Sequence, residues 1–195
     1  MKIIAATNNK GKVREFKEIL APLGIEVSSL AEEGIDIDVE ETGATFEENA
    51  FIKARAIAQL RGCAVLADDS GLCVDALGGK PGVYSARWAG EGATDAQKIE
   101  KLLSDMEGKD NRRAHFETAI AYVGADGKEL LAKGRTEGVL LTEPHGVNGF
   151  GYDPIFLSDD LKKTFAEATD AEKNSVSHRG RALRKMYDLL KEEEK

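Results

Sequence analysis

Cysteine is scarce in this sequence of 195 residues, and its two copies, Cys63 and Cys73, are not spaced as a metal-binding or redox pair. Together with three histidines they do not form the Cys/His pattern of a structural zinc site. We therefore expect two buried, reduced thiols in an intracellular protein, because disulfides are rare in reducing compartments.

Long apolar runs are missing as well. The apolar start from Met1 to Ala6 is shorter than the ~7–15-residue core of a secretory signal, and no run approaches the ~18 residues of a membrane span. We therefore expect a cytoplasmic location and no membrane partner.

Positive charge is in deficit, since 27 lysines and arginines stand against 35 aspartates and glutamates, a formal net charge of −8. Nucleic acids and anionic membranes require clustered positive charge, so the composition predicts that neither is a partner. An anionic small substrate is still compatible if a few cations are gathered locally. Hydrophobic residues make up 42%, which is enough for a packed core, and we expect one domain over residues 1–195.

Strand and helix patterns alternate at both ends of the chain, with hairpin signals between them. Two helices begin at capping boxes, Thr45 with Glu48 and Thr94 with Gln97, and Asp126-Gly127 is a hairpin signal. The patterns predict an α/β protein with a mixed sheet. The predicted strands are 3–6, 63–67 and 114–123 with a return over 129–132, and the predicted helices are 12–20, 45–60, 94–106 and about 170–191.

The first candidate site is Thr7-Asn8-Asn9-Lys10-Gly11-Lys12, between the first strand and the first helix. Free backbone N–H groups at a helix start attract anions, and the side chains here add donors and positive charge. The segment is not a P-loop, because no Gly-Lys pair in the chain is followed by Ser or Thr. The residues alone leave a phosphate site and a plain capped turn as alternatives.

A pair of carboxylates, Asp68 and Asp69, directly follows the second predicted strand, with Ser70 and Gly71 after it. Adjacent carboxylates repel each other unless a cation lies close, and hard oxygen ligands suit Mg²⁺. Sites form at the carboxyl ends of strands in open α/β sheets, although a turn chosen for backbone shape is the alternative. The acidic residues at 36, 38, 40 and 41 offer a further ligand, but the local sequence does not say which one.

Two helical positions and one loop also carry residues suited to chemistry. Lys53 falls on the apolar face of its helix, one turn after Asn49, so its side chain either snorkels or meets an anion. In the glycine-rich run 148–154, the glycines let the backbone approach a ligand and the aromatic rings offer a surface for stacking on a nucleotide base. The alternative is a tight loop whose aromatic side chains anchor it to the protein. Near the C-terminus lie Lys173 and the basic run 177–181. Their side chains either point inward, where they need hydrogen-bond acceptors, or lie in a solvated turn.

Six motifs stand in the order typical of one family and together cover essentially the whole chain. On these motifs the sequence resembles the inosine triphosphate pyrophosphatase family, enzymes that remove non-standard purine nucleotides, and Asn8 is a departure because many relatives have Gly there. The motifs are Thr7–Lys12, Glu40–Ala50, Ala67–Leu72, Gly79–Arg87, Gly149–Pro154 and Ser177–Gly180.

The resemblance implies a fold and an activity. The implied fold is a long, curved mixed β-sheet flanked by helices, in two lobes with a central substrate cleft. The implied reaction is hydrolysis of ITP, dITP and XTP to the monophosphate and pyrophosphate, with Mg²⁺ as cofactor, in a cytoplasmic homodimer.

The same resemblance implies roles for single residues. Asp69 and Lys53 are the catalytic residues, with Asp69 activating the attacking water, and Glu40, Asp69 and Asp68 hold Mg²⁺. The residues implied in substrate binding are Thr7, Asn8, Asn9, Lys10, Gly11, Lys12 and Ser70 near the triphosphate, Phe150, Gly151, Tyr152 and Asp153 around the base, and Lys173, His178 and Arg179 at its 6-keto edge.

Two other interpretations stay open. A Maf-like pyrophosphatase of similar fold would act on modified pyrimidine or 7-methylguanine triphosphates, although the segment 177–179 argues against it. A nucleotide-sensing module would bind without turnover, and it would have little need for the full set of acidic residues and Lys53.

Overall fold

The computed structural model describes residues 1–193, which form six β-strands and five α-helices. Residues 194 and 195, at the end of the predicted domain, lie outside the described residues. The strands are β1 (Lys2–Ala5), β2 (Glu26–Ser29), β3 (Val65–Val74), β4 (Arg113–Val123), β5 (Glu129–Leu140) and β6 (Phe156–Ser158). The helices are α1 (Lys10–Leu20), α2 (Phe46–Arg61), α3 (Asp95–Asp105), α4 (Asp170–Val176) and α5 (His178–Glu193).

The six strands form one sheet in the order β2-β1-β3-β4-β5-β6. β1 is parallel to both of its neighbours, with Ile4 opposite Val65 of β3, whereas β5 and β6 are antiparallel. The prediction of an α/β protein with a mixed sheet is therefore confirmed. The sequence patterns did not indicate β2 and β6, because these strands of four and three residues show neither an apolar run like that of β1 nor sustained alternation.

The chain forms two compact units, and each has its own apolar core. Unit 1 comprises residues 1–69, 118–134 and the described chain from Arg179, and unit 2 comprises residues 70–117 and 135–178. Burial of apolar side chains is the main favourable contribution to the stability of such cores. The core of unit 1 includes Ile3, Phe16, Leu20, Leu66, Ile120, Leu183 and Met186, and that of unit 2 includes Leu72, Leu102, Phe116, Leu140, Phe156 and Phe165.

The two predicted capping boxes are confirmed. Thr45 Oγ1 accepts a hydrogen bond from the Glu48 N–H, while the Glu48 carboxylate accepts one from the Thr45 N–H. Helix α3 begins in the same way at Thr94. Because a capping box satisfies N–H groups that a helix leaves free, it defines the start of α2 and thereby the position of Lys53 on it.

The prediction that the Asp68–Gly71 motif follows a strand is wrong, because these residues lie inside β3, which continues to Val74. Asp and Gly disfavour strands, but tertiary contacts override this preference. The Thr118 hydroxyl donates to the Asp69 carbonyl oxygen (3.1 Å), and the buried side chains of Leu72 and Val74 continue the strand. The two carboxylates are therefore held by strand geometry and not by a turn.

Gly71 is required because another backbone segment of unit 2 approaches it closely. A Cβ at this position would lie 2.1 Å from the Gly82 carbonyl oxygen. Next to it, Ser85 Oγ accepts a hydrogen bond from the Leu72 N–H (2.9 Å) and donates to the Gly82 carbonyl oxygen (2.6 Å). The second half of β3 thus packs directly on the 3₁₀-helix Gly82–Arg87.

The last predicted helix, over about 170–191, is interrupted. Helix α4 ends at Val176, Ser177 is extended (φ −65°, ψ 157°), and α5 begins at His178. The Ser177 N–H donates to the Lys173 carbonyl oxygen (2.8 Å), which closes the last turn of α4. Serine favours the position before a helix because its hydroxyl competes with helical hydrogen bonds, and here this local preference outweighs the helical pattern on either side.

Two features that the sequence analysis addressed are the state of the cysteines and the apolar character of the helices. Both cysteines are free; Cys73 is buried as expected, whereas Cys63 is only half-buried. Burial raises the pKa of the Cys73 thiol to about 11, so the thiolate is rare at neutral pH. Among the helices of residues 1–193, none combines the length and the apolar character needed to cross a membrane.

Candidate active site

Unit 1 contains a group of buried or half-buried charged side chains, which we call the charged cluster. Charged side chains are seldom buried without partners, and where several gather they often serve chemistry. The members are Lys12 and Glu15 on α1, Glu41 ahead of α2, Lys53 on α2, Asp68 and Asp69 on β3, and Arg179 on α5.

The Thr7–Lys12 segment joins this cluster through Lys12. Asn9 caps α1, because its Oδ1 accepts hydrogen bonds from the N–H groups of Gly11 (2.9 Å) and Lys12 (3.1 Å). The Lys12 ammonium lies 3.2 Å from Asp68 Oδ2, and burial lowers its pKa despite this partner. The capped turn is therefore observed, and an anion at Lys12 would favour its charged form. The exposed members of the segment are Asn8, Asn9 and Lys10.

Lys53 meets an anion, which settles the choice left open by the sequence. Its ammonium forms an ion pair with Glu41 and donates to the Asp68 carbonyl oxygen at 2.7 Å. Burial opposes the charge on Lys53, but the carboxylates of Asp68, Asp69 and Glu41 outweigh it and raise the pKa. Lys53 therefore stays protonated at neutral pH.

Asp68 is fully buried and ionised. Its Oδ2 accepts a hydrogen bond from Arg179 Nε (3.1 Å) and also faces Lys12. Burial would raise the pKa, but Lys12, Arg179 and Lys53 outweigh it and hold the pKa well below its usual range. The other oxygen, Oδ1, is buried and has no hydrogen-bond partner among residues 1–193. Such an orphan oxygen is costly, and a bound cation would satisfy it.

Asp69 lies in a different environment from its neighbour. Its Oδ2 accepts a hydrogen bond from Asn49 Nδ2 (2.9 Å), and Asn49 is oriented in turn by the Gly43 N–H, which donates to its Oδ1 (2.7 Å). Burial raises the pKa of Asp69, and Lys53 and Lys12 offset this only in part. A carboxylate with a raised pKa is a better proton acceptor than an ordinary Asp. The structure thus separates Asp68, whose pKa is lowered, from Asp69, whose pKa is raised.

The Arg179 guanidinium is 2% exposed and lies between two carboxylates of unit 1. It donates to Asp68 as described and forms an ion pair with Glu15 through Nη1. Burial opposes the charge, but Glu15 and Asp68 outweigh it and raise the pKa. The contact with the 6-keto edge of a base that the family resemblance implies for Arg179 stays a prediction, because the contacts observed are with carboxylates.

The predicted Mg²⁺ ligands differ in their suitability. Glu40 is exposed, and its neighbour Glu41 is the one that pairs with Lys53. Over the described chain, no three or more His, Cys, Asp or Glu side chains are grouped to hold a metal. Mg²⁺ usually takes only one or two carboxylates, together with phosphate oxygens and waters. Asp68, with its orphan oxygen, and the adjacent Asp69 fit that requirement.

A second group, which we call the aromatic cluster, lies in unit 2 and comprises Phe116, Phe150, Asp153, Phe165, Lys173 and His178. Lys173 Nζ is 2.6 Å from Asp153 Oδ2, 4.6 Å from the centroid of the Phe150 ring and 5.7 Å from that of Phe165. A cation over a ring face is attracted by the ring quadrupole. Asp153 Oδ2 also accepts a hydrogen bond from the Phe150 N–H (3.0 Å). The structure therefore brings together Phe150 and Asp153, which the family resemblance implies around the base, and Lys173, which it implies at the 6-keto edge.

His178 belongs to the same unit and is held by aromatic packing. Its ring stacks on Phe116, with centroids 4.9 Å apart and planes 14° apart. Phe116 in turn meets the edge of Phe156 at 4.7 Å. The imidazole is buried, and its orientation is thereby set by the core of unit 2.

Tyr152, Gly151 and Ser70 complete the predicted set. Tyr152 is buried, burial raises its pKa, and its hydroxyl donates to the Ser85 carbonyl oxygen (2.8 Å), so the side chain anchors its loop. The Gly151 N–H donates to the Asp95 carboxylate (2.7 Å). Ser70 is half-buried in β3. Whether these three residues contact substrate stays a prediction.

Three residues that contact members of the predicted site were given no role in it, namely Glu15, Asn49 and Asp95, and Glu41, offered only as a possible metal ligand, instead pairs with Lys53. A signal existed for Asn49, which lies one helical turn before Lys53 on the same face. Glu15 and Asp95 resemble ordinary acidic residues of a first helical turn or a helix face. Their partners, Arg179 and Gly151, are far away in the sequence, so no local pattern could pair them.

Comparison with known proteins agrees with the family resemblance that the six sequence motifs indicated. The chain matches the model of the Ham1 family over residues 3–189. It is 54% identical to the dITP/XTP pyrophosphatase of Bacillus subtilis, with 96% of each chain covered, and 50% identical to that of Clostridium perfringens, with 97% of each covered. The solved structure of the Staphylococcus aureus Ham1 protein aligns with a TM-score of 0.87 at 44% identity, covering 99% of this chain and 100% of that one. The resemblance is confirmed, and this chain belongs to the Ham1 family.

Proposed function

We propose that this protein hydrolyses the non-standard purine nucleotides ITP, dITP and XTP to the monophosphate and pyrophosphate, with Mg²⁺ as cofactor. The observation that carries the proposal is the charged cluster, in which an ionised Asp68 and a more basic Asp69 lie beside two lysines. The substrate class is supported by relatives named dITP/XTP pyrophosphatase that share about half of their residues with this chain over nearly its whole length.

The chain's own residues have separate tasks in this reaction. Asp69 accepts a proton from the water that attacks the α-phosphorus, and Asn49 keeps the Asp69 carboxylate oriented. The bond between the α-phosphorus and the bridging oxygen breaks, and pyrophosphate leaves with that oxygen. Lys12 and Lys53 neutralise charge on the phosphate oxygens. When bound by Asp68 and Asp69, with Glu40 as the predicted third ligand, Mg²⁺ supplies further charge neutralisation at those oxygens.

The aromatic cluster supplies base recognition. Phe150 offers a face for stacking, and Lys173 and His178 offer donors for the 6-keto oxygen of hypoxanthine or xanthine. Adenine presents an amino donor at position 6, which these donors cannot satisfy. Leaving a buried polar group unpaired costs about 1–3 kcal/mol, so ATP is expected to be a poor substrate.

Replacing His178 with Ala is expected to lower the ratio of kcat/KM for ITP over ATP by about tenfold, since a lost hydrogen bond affects only the substrate that accepts it. The measurement is pyrophosphate release from each nucleotide at matched enzyme concentration. His115→Ala, a histidine of unit 2 outside the aromatic cluster, is the control and should keep the ratio. An unchanged ratio in His178→Ala would remove this residue from specificity.

A panel of triphosphates with Mg²⁺, scored by released pyrophosphate, tests the proposed activity. We expect turnover of ITP, dITP and XTP well above that of ATP. Faster turnover of a modified pyrimidine or 7-methylguanine triphosphate would favour the Maf-like alternative. Binding of ITP without formation of IMP would favour the sensing module.

The family resemblance also underlies the proposal of a cytoplasmic homodimer. Light scattering after size-exclusion chromatography should then give the mass of two chains. The mass of one chain would contradict the dimer and leave the proposed reaction unaffected.

A further inference from the structure

Asp95 lies in the first turn of α3 and contacts a loop 56 residues away in the sequence. Its Oδ2 accepts the hydrogen bond from the Gly151 N–H at 2.7 Å, and its Oδ1 lies 2.7 Å from Lys98 Nζ. The start of α3 is already capped by Thr94 and Gln97. The Asp95 carboxylate therefore binds the loop through Gly151 and also pairs with Lys98 on the helix.

This hydrogen bond is charge-assisted. Burial would raise the pKa of Asp95, but Lys98 and the Gly151 N–H outweigh it and lower the pKa. The carboxylate is thus ionised at neutral pH, and hydrogen bonds to ionised acceptors are stronger than neutral ones.

The two peptide groups that flank Phe150 are each held by one carboxylate. The N–H of the Gly149–Phe150 peptide donates to Asp153 Oδ2 at 3.0 Å, and the N–H of the Phe150–Gly151 peptide donates to Asp95. The orientations of these two planes define φ and ψ of Phe150, because each peptide group is rigid. They therefore define the direction of its Cα–Cβ bond, and with it the region that the ring can reach through its side-chain torsions.

Side-chain packing between the loop and α3 does not fix these two peptide planes. A cavity of about 1080 Å³ lies there, bordered by α3 and by the loop residues 146–151. Gly149 and Gly151 lie on either side of Phe150 and adopt positive φ (73° and 63°). Neither residue has a side chain that would restrain the backbone of the loop. The Asp95 hydrogen bond connects the loop to α3 beside this cavity.

We propose that Asp95 is a positioning residue for base recognition: together with Asp153 it fixes both peptide planes around Phe150 and so directs the ring toward the base. The inference rests on the proposed function, since it takes Phe150 as the stacking residue. It assigns Asp95 an effect on binding of the base and none on the chemistry at the phosphate.

A double-mutant cycle with Phe150 tests this role. Asp95→Ala should raise KM for ITP about tenfold with kcat within about twofold, because loss of one ring–base stack has an effect of this size. In the Phe150→Ala background the same substitution should change KM less than about twofold, since residues that act through one another are not additive. Asp95→Asn, which keeps an acceptor oxygen, should restore KM to within about threefold of the unmodified enzyme.

Lys98→Met serves as the matched control, because it removes the ion pair on α3 and keeps the acceptor. Its KM should stay within about twofold of the unmodified value. An equal rise in KM for Asp95→Ala in both backgrounds, or a tenfold rise for Lys98→Met, would overturn the proposal, because either result assigns the effect to α3 and not to Phe150.

Hydrogen exchange at the Gly151 amide provides a readout that does not depend on turnover. In the nucleotide-free protein, Asp95→Ala should accelerate exchange at this amide by about tenfold or more, because its acceptor is lost. Unchanged exchange would overturn the inference while leaving the proposed function intact. An unmodified protein that releases no pyrophosphate from ITP would overturn the proposed function and, with it, the stacking role of Phe150.

Discussion

Asp69→Asn is expected to reduce kcat for ITP hydrolysis by about 10³-fold, whereas the Kd for ITP should change by less than about tenfold. The substitution preserves shape and an acceptor oxygen for Asn49, but it removes the group that takes the proton from water. Lys12 and Lys53, which provide the charge for binding, are untouched. Single-turnover kinetics and calorimetric titration of ITP measure the two quantities separately.

Asp188→Asn is the matched control for the change in net charge, because Asp188 is exposed and outside the charged cluster. It should leave kcat and Kd unchanged. A kcat for Asp69→Asn within about tenfold of the unmodified enzyme would show that another group acts as the base. The ionised and deeply buried Asp68 would then be the next residue to replace.

Arg179→Met is expected to lower the free energy of unfolding by about 3–5 kcal/mol, the usual effect of removing one partner from a buried ion-pair network. Methionine retains much of the side-chain volume but leaves Glu15 and Asp68 buried without their guanidinium. Urea denaturation followed by circular dichroism measures the loss. We expect a lower transition midpoint with an unchanged slope.

Arg14→Met on α1 is the control, because Arg14 is half exposed and its ion pair with Glu18 is long, at 3.9 Å. Exposed pairs of this kind contribute about 0–1 kcal/mol. A stability loss below about 1 kcal/mol in Arg179→Met, accompanied by loss of discrimination between ITP and ATP, would contradict the role in holding Asp68. It would support the contact with the base that the family resemblance implies.

The parts of the fold that sequence could predict are those that depend on nearby residues. Capping boxes at Thr45 and Thr94 determine helix starts through contacts three residues apart, and both were found as expected. The position of Lys53 on the apolar face of its helix follows from helical periodicity, which left snorkelling and an anionic partner as the two alternatives. The motif 149–154 indicated an aromatic loop, and the ring of Phe150 in this loop lies beside Lys173.

The parts that sequence could not predict depend on partners far along the chain. β3 continues through Asp68 and Asp69 because neighbouring strands accommodate these residues, against their own strand preference. The break at Ser177 is an exception, because a serine within a helical pattern is compatible with both a helical and a capping position. The distinct environments of Asp68 and Asp69 arise from Arg179 and Asn49, whose proximity no spacing rule reveals.

Hydrolysis of ITP in ¹⁸O-labelled water with Mg²⁺, followed by mass spectrometry of the products, tests the central claim most directly. Attack of water on the α-phosphorus predicts IMP that carries one ¹⁸O and pyrophosphate that carries none. Label in pyrophosphate would place the attack on the β-phosphorus, and formation of IDP with labelled phosphate would place it on the γ-phosphorus. Either of these results would contradict the account.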